Sequence, residues 1–387
     1  MPHILQEFSK CCDTEISTPE IHDHFFPVTF EKYIVIACGN KKQSMSYIYW
    51  LDVFEMLKKT LNQKEIKVIQ INQHKFPHLE GTDLHLQGLP YTQIAYILKH
   101  AEAVVSANGL FTHMASAYGV PVVSLHGENY PSSHGPYWGD NNINLHSFTS
   151  EIKPSFSEQD EHALINKIKP EEVASSVLSV LGIKEDLGIE SLFFGGSYPN
   201  DIIEVCPNFF NSNLLQPKIP LNIRLDWHLD LQNALNWIKN RKVNIFLNEE
   251  VDFNFFKAVK NNVNRVNFYV NEDSNLNYLR DLQNLGIQIG LTCAENADIN
   301  QTRLHLIDYI VDENPITEKK DLDFVSEICN NTYYKSSKTI ISNNEHYNSK
   351  FSMLQNIPKN GPYEKVVDSP EFWRDKDYYF IFNKNDA

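Results

Sequence analysis

The stretch NGLFTHMASAYGVPVVSLHGENYPSSHGPYWG, Asn108 to Gly139, decides the fold. It follows the apolar run AVVSA and sets out Asn-Gly, a Thr-His pair, a small-residue run stopped by Gly119, a second apolar run, and a loop rich in Gly and Pro. Strand, short helix and strand in that order read as a βαβ unit with parallel strands. In such units ligands collect outside the carboxyl ends of the strands, where backbone amides and helix starts face outward. Asn108 and Gly109 end the first strand, and Gly109 lets backbone approach a ligand. Thr112 and His113 fall near the start of the helix. These four are candidate contacts for a pyrophosphate. Gly127 and Glu128 open the loop after the second strand, and Glu128 is a candidate for binding ribose hydroxyls.

Outward from that stretch the alternation continues. YIVIACG and KVIQIN read as strands, with YIYWLDVFEMLKKTL as a helix between them. YTQIAYILKHA is the next helix, and KPEEVASSVLSVLG is a Pro-initiated helix ending at Gly182. A second series follows, with strands LNIRLDW, KVNIFLN, RVNFYVN, IQIGLTC and DYIVDEN about 22 residues apart and helices such as LQNALNWIKN between them. The expected class is α/β with two Rossmann-like parallel-sheet domains, the second of which also fits a partial barrel. The expected boundaries are an N-terminal extension over 1–32, a ligand-binding domain over 33–183, a connection over 184–220 and a second α/β domain over 221–387.

Composition narrows the function. A chain of 387 residues supports two cores, and its 42% hydrophobic content includes no run near the ~18 apolar residues of a membrane span. The start MPHILQEFSKCCDTEI lacks a basic segment followed by an apolar one, and the six cysteines are sparse and without CxxC spacing. A cytoplasmic protein with free thiols is the expectation. A net charge of -15 disfavours a broad nucleic-acid surface. No arginine precedes Arg224, so a phosphate group held by the first half has to rely on lysine, backbone amides or helix starts. Lys41 and Lys42, after Gly39 and Asn40 at the end of the first strand, are the candidates.

The ordered set NGLFTHMASAYGVPVVSLHG, preceded by IVIACGNKKQSMSYIYWLDVFEMLKK and LHLQGLPYTQIAYILKHAEAVVSA and followed by INKIKPEEVASSVLSVLG, resembles the nucleotide-sugar-binding domain of the ADP-heptose:lipopolysaccharide heptosyltransferase family. The resemblance covers about Tyr33 to Gly182. It implies a glycosyltransferase of the GT-B fold, with Gly39 to Lys42 in the phosphate-contacting loop and a nucleotide-diphosphate sugar as donor. Asn108 and Gly109 stand where the family has an acid and Ser, and Gln93 where a Glu is common. The family's acceptor domain precedes the donor domain; here the order looks swapped.

The second series has acids after its strands: Asp226 with His228, Glu249 with Glu250, Glu272 with Asp273, Glu295, and Asp312 with Glu313. These either line an acceptor crevice and supply the base for a hydroxyl, or cap the helices that follow. Asp226, His228 and Glu249 are the catalytic candidates. No metal or other cofactor is expected, because GT-B enzymes often stabilise the leaving group without one. The expected function is transfer of a sugar to a hydroxyl of a glycan, lipopolysaccharide or other polymer. Glycosylation of a modified nucleic-acid base, sugar-nucleotide epimerisation and non-catalytic sugar-nucleotide binding stay open.

Overall fold

The computed structural model describes residues 2–38, 42–73, 77–155, 164–194, 202–212, 221–239, 241–270, 274–293, 310–312, 332–336, 338–361, 363–369, 372–373 and 379–384. The chain forms two compact units, Met1–Ser191 and Leu192–Ala387. Among the described residues no helix is long and apolar enough to cross a membrane.

The first unit contains α1 (Ile4–Cys12), β1 (Tyr33–Ala37), α2 (Trp50–Gln63), β2 (Lys67–Asn72), β3 (Leu84–Gln87), α3 (Tyr91–Lys99), β4 (Ala103–Ala107), α4 (Leu110–Ala117), β5 (Val122–His126), α5 (Pro131–His134), β6 (Asn142–His146) and α6 (Pro170–Val180). Its strands pair in parallel in the order β3-β2-β1-β4-β5-β6. Strands buried on both faces read as continuous apolar runs, which is how YIVIA and AVVSA read. Tyr33, Val35, Ile69, Ile71, Val104 and Val122 pack with Ile94, Leu98, Met114 and Ala115 of α3 and α4. α2 and α6 touch each other, with Val53, Leu57, Val173 and Val177 buried. Ile21, Phe26, Val28 and Phe30 pack against the α3 and α4 cluster, so the N-terminal segment expected as an extension is part of this unit. β3 and β6 add two edge strands that the sequence pattern did not show, since neither is apolar or fully buried.

The second unit takes up the chain within β7 (Ile189–Phe194) and continues through β8 (Ile202–Val205), β9 (Leu221–Arg224), α7 (Leu231–Ile238), β10 (Val243–Leu247), α8 (Phe253–Val259), β11 (Val263–Val270), α9 (Leu276–Asn284), β12 (Gln288–Cys293) and β13 (Ile310–Asp312). It closes with β14 (Thr332–Ser336), β15 (Lys338–Ser342), β16 (Glu345–Tyr347), α10 (Lys350–Leu354), β17 (Glu364–Lys365) and β18 (Tyr379–Lys384). The main sheet runs β13-β12-β11-β10-β9-β8-β15-β16, parallel from β13 to β15, and β14 pairs antiparallel with β17 and β18 in a smaller sheet. β8 lies in the stretch expected as a connection and sits between β9 and β15.

The second unit is the parallel α/β sheet expected. β8 to β13 lie side by side in chain order, and β15 returns to pair in parallel with β8 on its other side, so strand order reverses there. Right-handed crossovers between successive strands put their helices on one face. Trp237 and Ile238 of α7, Phe256 of α8 and Leu279 and Leu282 of α9 accordingly share one core with Ile223, Ile245, Val266 and Leu291. The alternate strand positions carry polar groups, among them Glu204, Asn222, Arg224 and Asn267, all buried.

Candidate functional site

In the first unit strand order reverses between β1 and β4, and a crevice opens outside the carboxyl ends of that pair. A cavity of about 200 Å³ lies there, lined by Ala37 of β1, Ser106 and Ala107 of β4, Asn108 to Phe111, Trp50, Met45, Gln73 and Tyr91. Complete small-molecule sites run to ~300–1,000 Å³, so this volume takes part of such a ligand. The start of α4 forms one wall. Ser106 Oγ donates to Ala37 O at 3.1 Å and ties the two strands at the mouth.

The local sequence explains how that wall is built. Gly109 is the N-cap of α4, its N–H donating to Thr112 Oγ1 at 3.1 Å while that hydroxyl donates back to Gly109 O at 2.7 Å. Thr112 is fully buried, so its hydroxyl serves the cap. Gly109 has extended backbone, and a Cβ there would meet Ala107 O at 3.9 Å, an ordinary contact. The site therefore does not require glycine at this position for space. Gly119, in the left-handed region at φ +75°, ends α4.

Asn108 Nδ2 donates to His134 O at 3.0 Å, which fixes the amide orientation and joins α4's start to α5. His113 is half-buried on α4. Burial holds its pKa below 6.5, His3 and His134 push the same way, and the His134 backbone opposes them. His113 is therefore neutral at pH 7 and acts as a hydrogen-bonding group there. His126, at the end of β5, is 1% exposed and its pKa is pushed down to about 4 by burial, although Asn144 Oδ1 lies 3.0 Å from Nε2.

Lys42 and Glu128, predicted separately, are brought together. Glu128 is buried and accepts from the Ser44 hydroxyl, and Lys42 Nζ lies 3.5 Å from its other oxygen. Gly127 makes this possible, since a Cβ there would come within 2.8 Å of Ser44 O and 3.1 Å of Ile165. The loops after β1 and β5 are thus clamped side by side. Gly39, Asn40 and Lys41 lie outside the described residues. Trp50, Met45, Gln73 and Tyr91 were not foreseen; an aromatic pair flanking a β1 loop and an α3 start was the available signal.

In the second unit the predicted residues part company. Arg224 holds Asp226 by Nε to Oδ1 at 2.9 Å and Nη2 to Oδ2 at 2.6 Å. Its Nη1 donates to both oxygens of Glu204, at 3.1 and 3.0 Å, and Lys338 Nζ lies 2.8 Å from Glu204. Burial disfavours the guanidinium charge, but Glu204, Asp226 and Tyr269 outweigh it and keep Arg224 protonated. The guanidinium also lies 3.8 Å from the Trp227 ring centroid and 4.6 Å from that of Phe246. Asp226, its side chain 6% exposed, is thus held in a buried ion pair with Arg224. His228 and Glu249 are exposed beyond β9 and β10. The capping account describes Asp230 and Asp252, which accept from Asn233 N–H and Asn254 N–H. Glu272, Asp273, Glu295 and Glu313 lie outside the described residues, and Asp312 ends β13. No group of three or more His, Cys, Asp or Glu among the described residues is arranged to hold a metal ion.

Residues 68–165 match the family model of glycosyltransferase family 9 (heptosyltransferase). No curated protein matches the chain. Among solved structures, ADP-heptose lipopolysaccharide heptosyltransferase II of E. coli is similar at 16% identity and a TM-score of 0.32, over 40% of this chain and 47% of that one. A family 9 glycosyltransferase of Veillonella parvula is similar at 17% identity and 0.33, over 46% and 49%. The UDP-GlcNAc 2-epimerase of Methanocaldococcus jannaschii is similar at 12% identity and 0.20, over 82% and 95%. The chain spans about half the length of the two transferases. The resemblance read from the sequence is thus carried by a stretch that holds β4, α4 and β5, with His113 on α4, Asn108 just after β4 and Glu128 in the loop after β5.

Proposed function

We propose that the chain transfers a sugar from a nucleotide-diphosphate sugar to a hydroxyl acceptor, with the donor's diphosphate in the crevice between β1 and β4. The observation that supports this reading is a coincidence of place: the cavity, the strand-order reversal and the start of α4 meet within a stretch that largely matches the transferase family model. The helix start offers backbone N–H groups and a positive dipole end, and Lys42, which also pairs with Glu128, is the proposed cation. Such preorganised donors stabilise charge developing on a departing diphosphate. The reading asks no metal of the site. With Asp226 committed to Arg224, His228 and Glu249 are the remaining proposed bases. A glycan or lipopolysaccharide hydroxyl is the proposed acceptor, nucleic acid being disfavoured by the net charge of -15. Free cysteines fit a reducing compartment, and a cytoplasmic location is proposed on that basis.

An E. coli heptosyltransferase similar to this chain is solved with ADP, which makes ADP the first probe. At 100 times its Kd a ligand adds ~2.7 kcal/mol to native stability, a rise of ~5–10 °C for a domain of this size. Lys42→Ala with His113→Ala should cancel most of that rise in a protein that still folds. An unchanged affinity in the double variant would sink the assignment. The locked state of Asp226 favours one second reading, a sugar-nucleotide-binding protein without transferase activity. Donor binding with neither hydrolysis nor transfer would select it.

A further inference from the structure

The ion pair between Lys42 and Glu128 crosses the crevice. Lys42 follows β1 and Glu128 follows β5, while β4 lies between those two strands in the sheet. Neighbouring strands run ~4.8 Å apart, so a contact from the loop after β1 to the loop after β5 spans the carboxyl end of β4, where α4 starts. Met45, which lines the cavity, donates its N–H to Lys42 O at 3.2 Å. Lys42 therefore belongs to the same turn as one wall of the cavity.

The two partners are unequal. The Lys42 side chain is 55% exposed and that of Glu128 is 5% exposed. One Glu128 oxygen accepts from the hydroxyl of Ser44, itself buried, and the other lies 3.5 Å from Lys42 Nζ. Glu128 is thus fixed from below by a side chain of the β1 loop, whereas Lys42 ends a flexible four-carbon stem. An ammonium has three donors, so a bond to Glu128 does not preclude one to a ligand. None of the residues lining the cavity carries a charge, and no arginine precedes Arg224. An anion at the start of α4 therefore depends on backbone N–H groups and on where a lysine of the β1 loop is held.

We propose that Glu128 is a positioning residue: its buried carboxylate holds the Lys42 ammonium across the end of β4, ordered in advance for the anionic part of the ligand. It acts through Lys42 and does not itself touch the ligand. The proposal rests on the donor-site reading for what that ligand is. Protein kinases hold their phosphate-binding lysine by a glutamate in the same manner. Ordering in advance favours binding because the ligand then need not immobilise the lysine stem. The carboxylate also repels an anion, so its removal has two consequences of opposite sign. They separate once Lys42 is gone.

Isothermal titration calorimetry of the full chain with ADP and with inorganic pyrophosphate, at one ionic strength, tests this on Glu128→Gln, Lys42→Met and the double variant. Glu128→Gln keeps an acceptor for Ser44 and loses the charge that holds Lys42. With Lys42 present, Glu128→Gln should weaken both ligands at least about fivefold; in the Lys42→Met background it should leave affinity unchanged or tighten it, since a repelling charge alone is lost. Weakening by the same factor in both backgrounds would make Glu128 a clamp and nothing more, and it overturns the proposal. Tighter binding with Lys42 present overturns it as well. If Glu128→Gln does not fold, reductive methylation of the parent protein, read by mass spectrometry, decides instead: pyrophosphate at ten times its Kd should slow modification of Lys42 by about tenfold, and an unchanged rate overturns the role. If pyrophosphate follows the expected pattern and ADP does not bind, the donor-site reading has failed and the positioning role stands. If neither ligand binds the parent protein, both fall.

Discussion

Asp226→Asn separates a structural acid from a catalytic one. Glu204, Arg224, Asp226 and Lys338 form a cluster whose side chains are at most 6% exposed, and their four formal charges sum to zero. Taking one carboxylate away leaves an uncompensated buried charge, which typically costs about 3–5 kcal/mol. Asn keeps the shape and one acceptor oxygen, so the lower end, about 3 kcal/mol, is expected. At about 2–4 °C per kcal/mol for a domain of this size, the second unit should melt about 6–12 °C lower. Scanning calorimetry reads the shift. Arg224→Met combined with Asp226→Asn restores the balance with a residue that packs between Trp227 and Phe246, and the pair should cost less than the sum of the single changes by at least about 1 kcal/mol. A variant that melts within about 2 °C of the parent while losing sugar transfer would show that Asp226 is a base after all.

Three further outcomes follow from the first unit. Gly127→Ala drives a Cβ against the Ser44 backbone and should cost about 1–3 kcal/mol in urea unfolding; a loss under ~0.5 kcal/mol contradicts the clamp. Thr112→Val leaves Gly109 N–H without its partner and should cost about 1–2 kcal/mol by the same assay, a neutral result arguing that the cap is redundant. His126 has a folded pKa of about 4 against about 6.5 unfolded, so the unfolded chain binds the proton first. Stability therefore falls as pH drops from about 6.5 toward about 4, by ~3 kcal/mol, and His126→Gln should remove that slope. An equal slope in the variant would assign it elsewhere.

How much was legible depended on whether the signal was local. β1 and β4 are almost wholly apolar because both their faces are buried, and Pro170 and Gly119 mark a helix start and a helix end by backbone geometry. The start of α4 beyond the carboxyl end of β4 followed from that alternation. β3 and β6 escaped because an edge strand needs little apolar character. The surroundings of Asp226 escaped because Glu204, which shares Arg224 with it, is twenty-two positions earlier, and Lys338, which pairs with Glu204, is more than a hundred later.

By itself the sequence determined two α/β units, the strand and helix alternation of each, and the stretch from Asn108 to Glu128 as the place to look for a phosphate site, since periodicity and turn chemistry act over a few residues. Tertiary structure decided the rest. Strand order, with β1 beside β4 in the first sheet and β8 beside β15 in the second, depends on crossovers that no local pattern records. The pairing of Lys42 with Glu128 and of Glu204 with Arg224 and Lys338 joins residues far apart in the chain, and such contacts exist once the sheets bring them together.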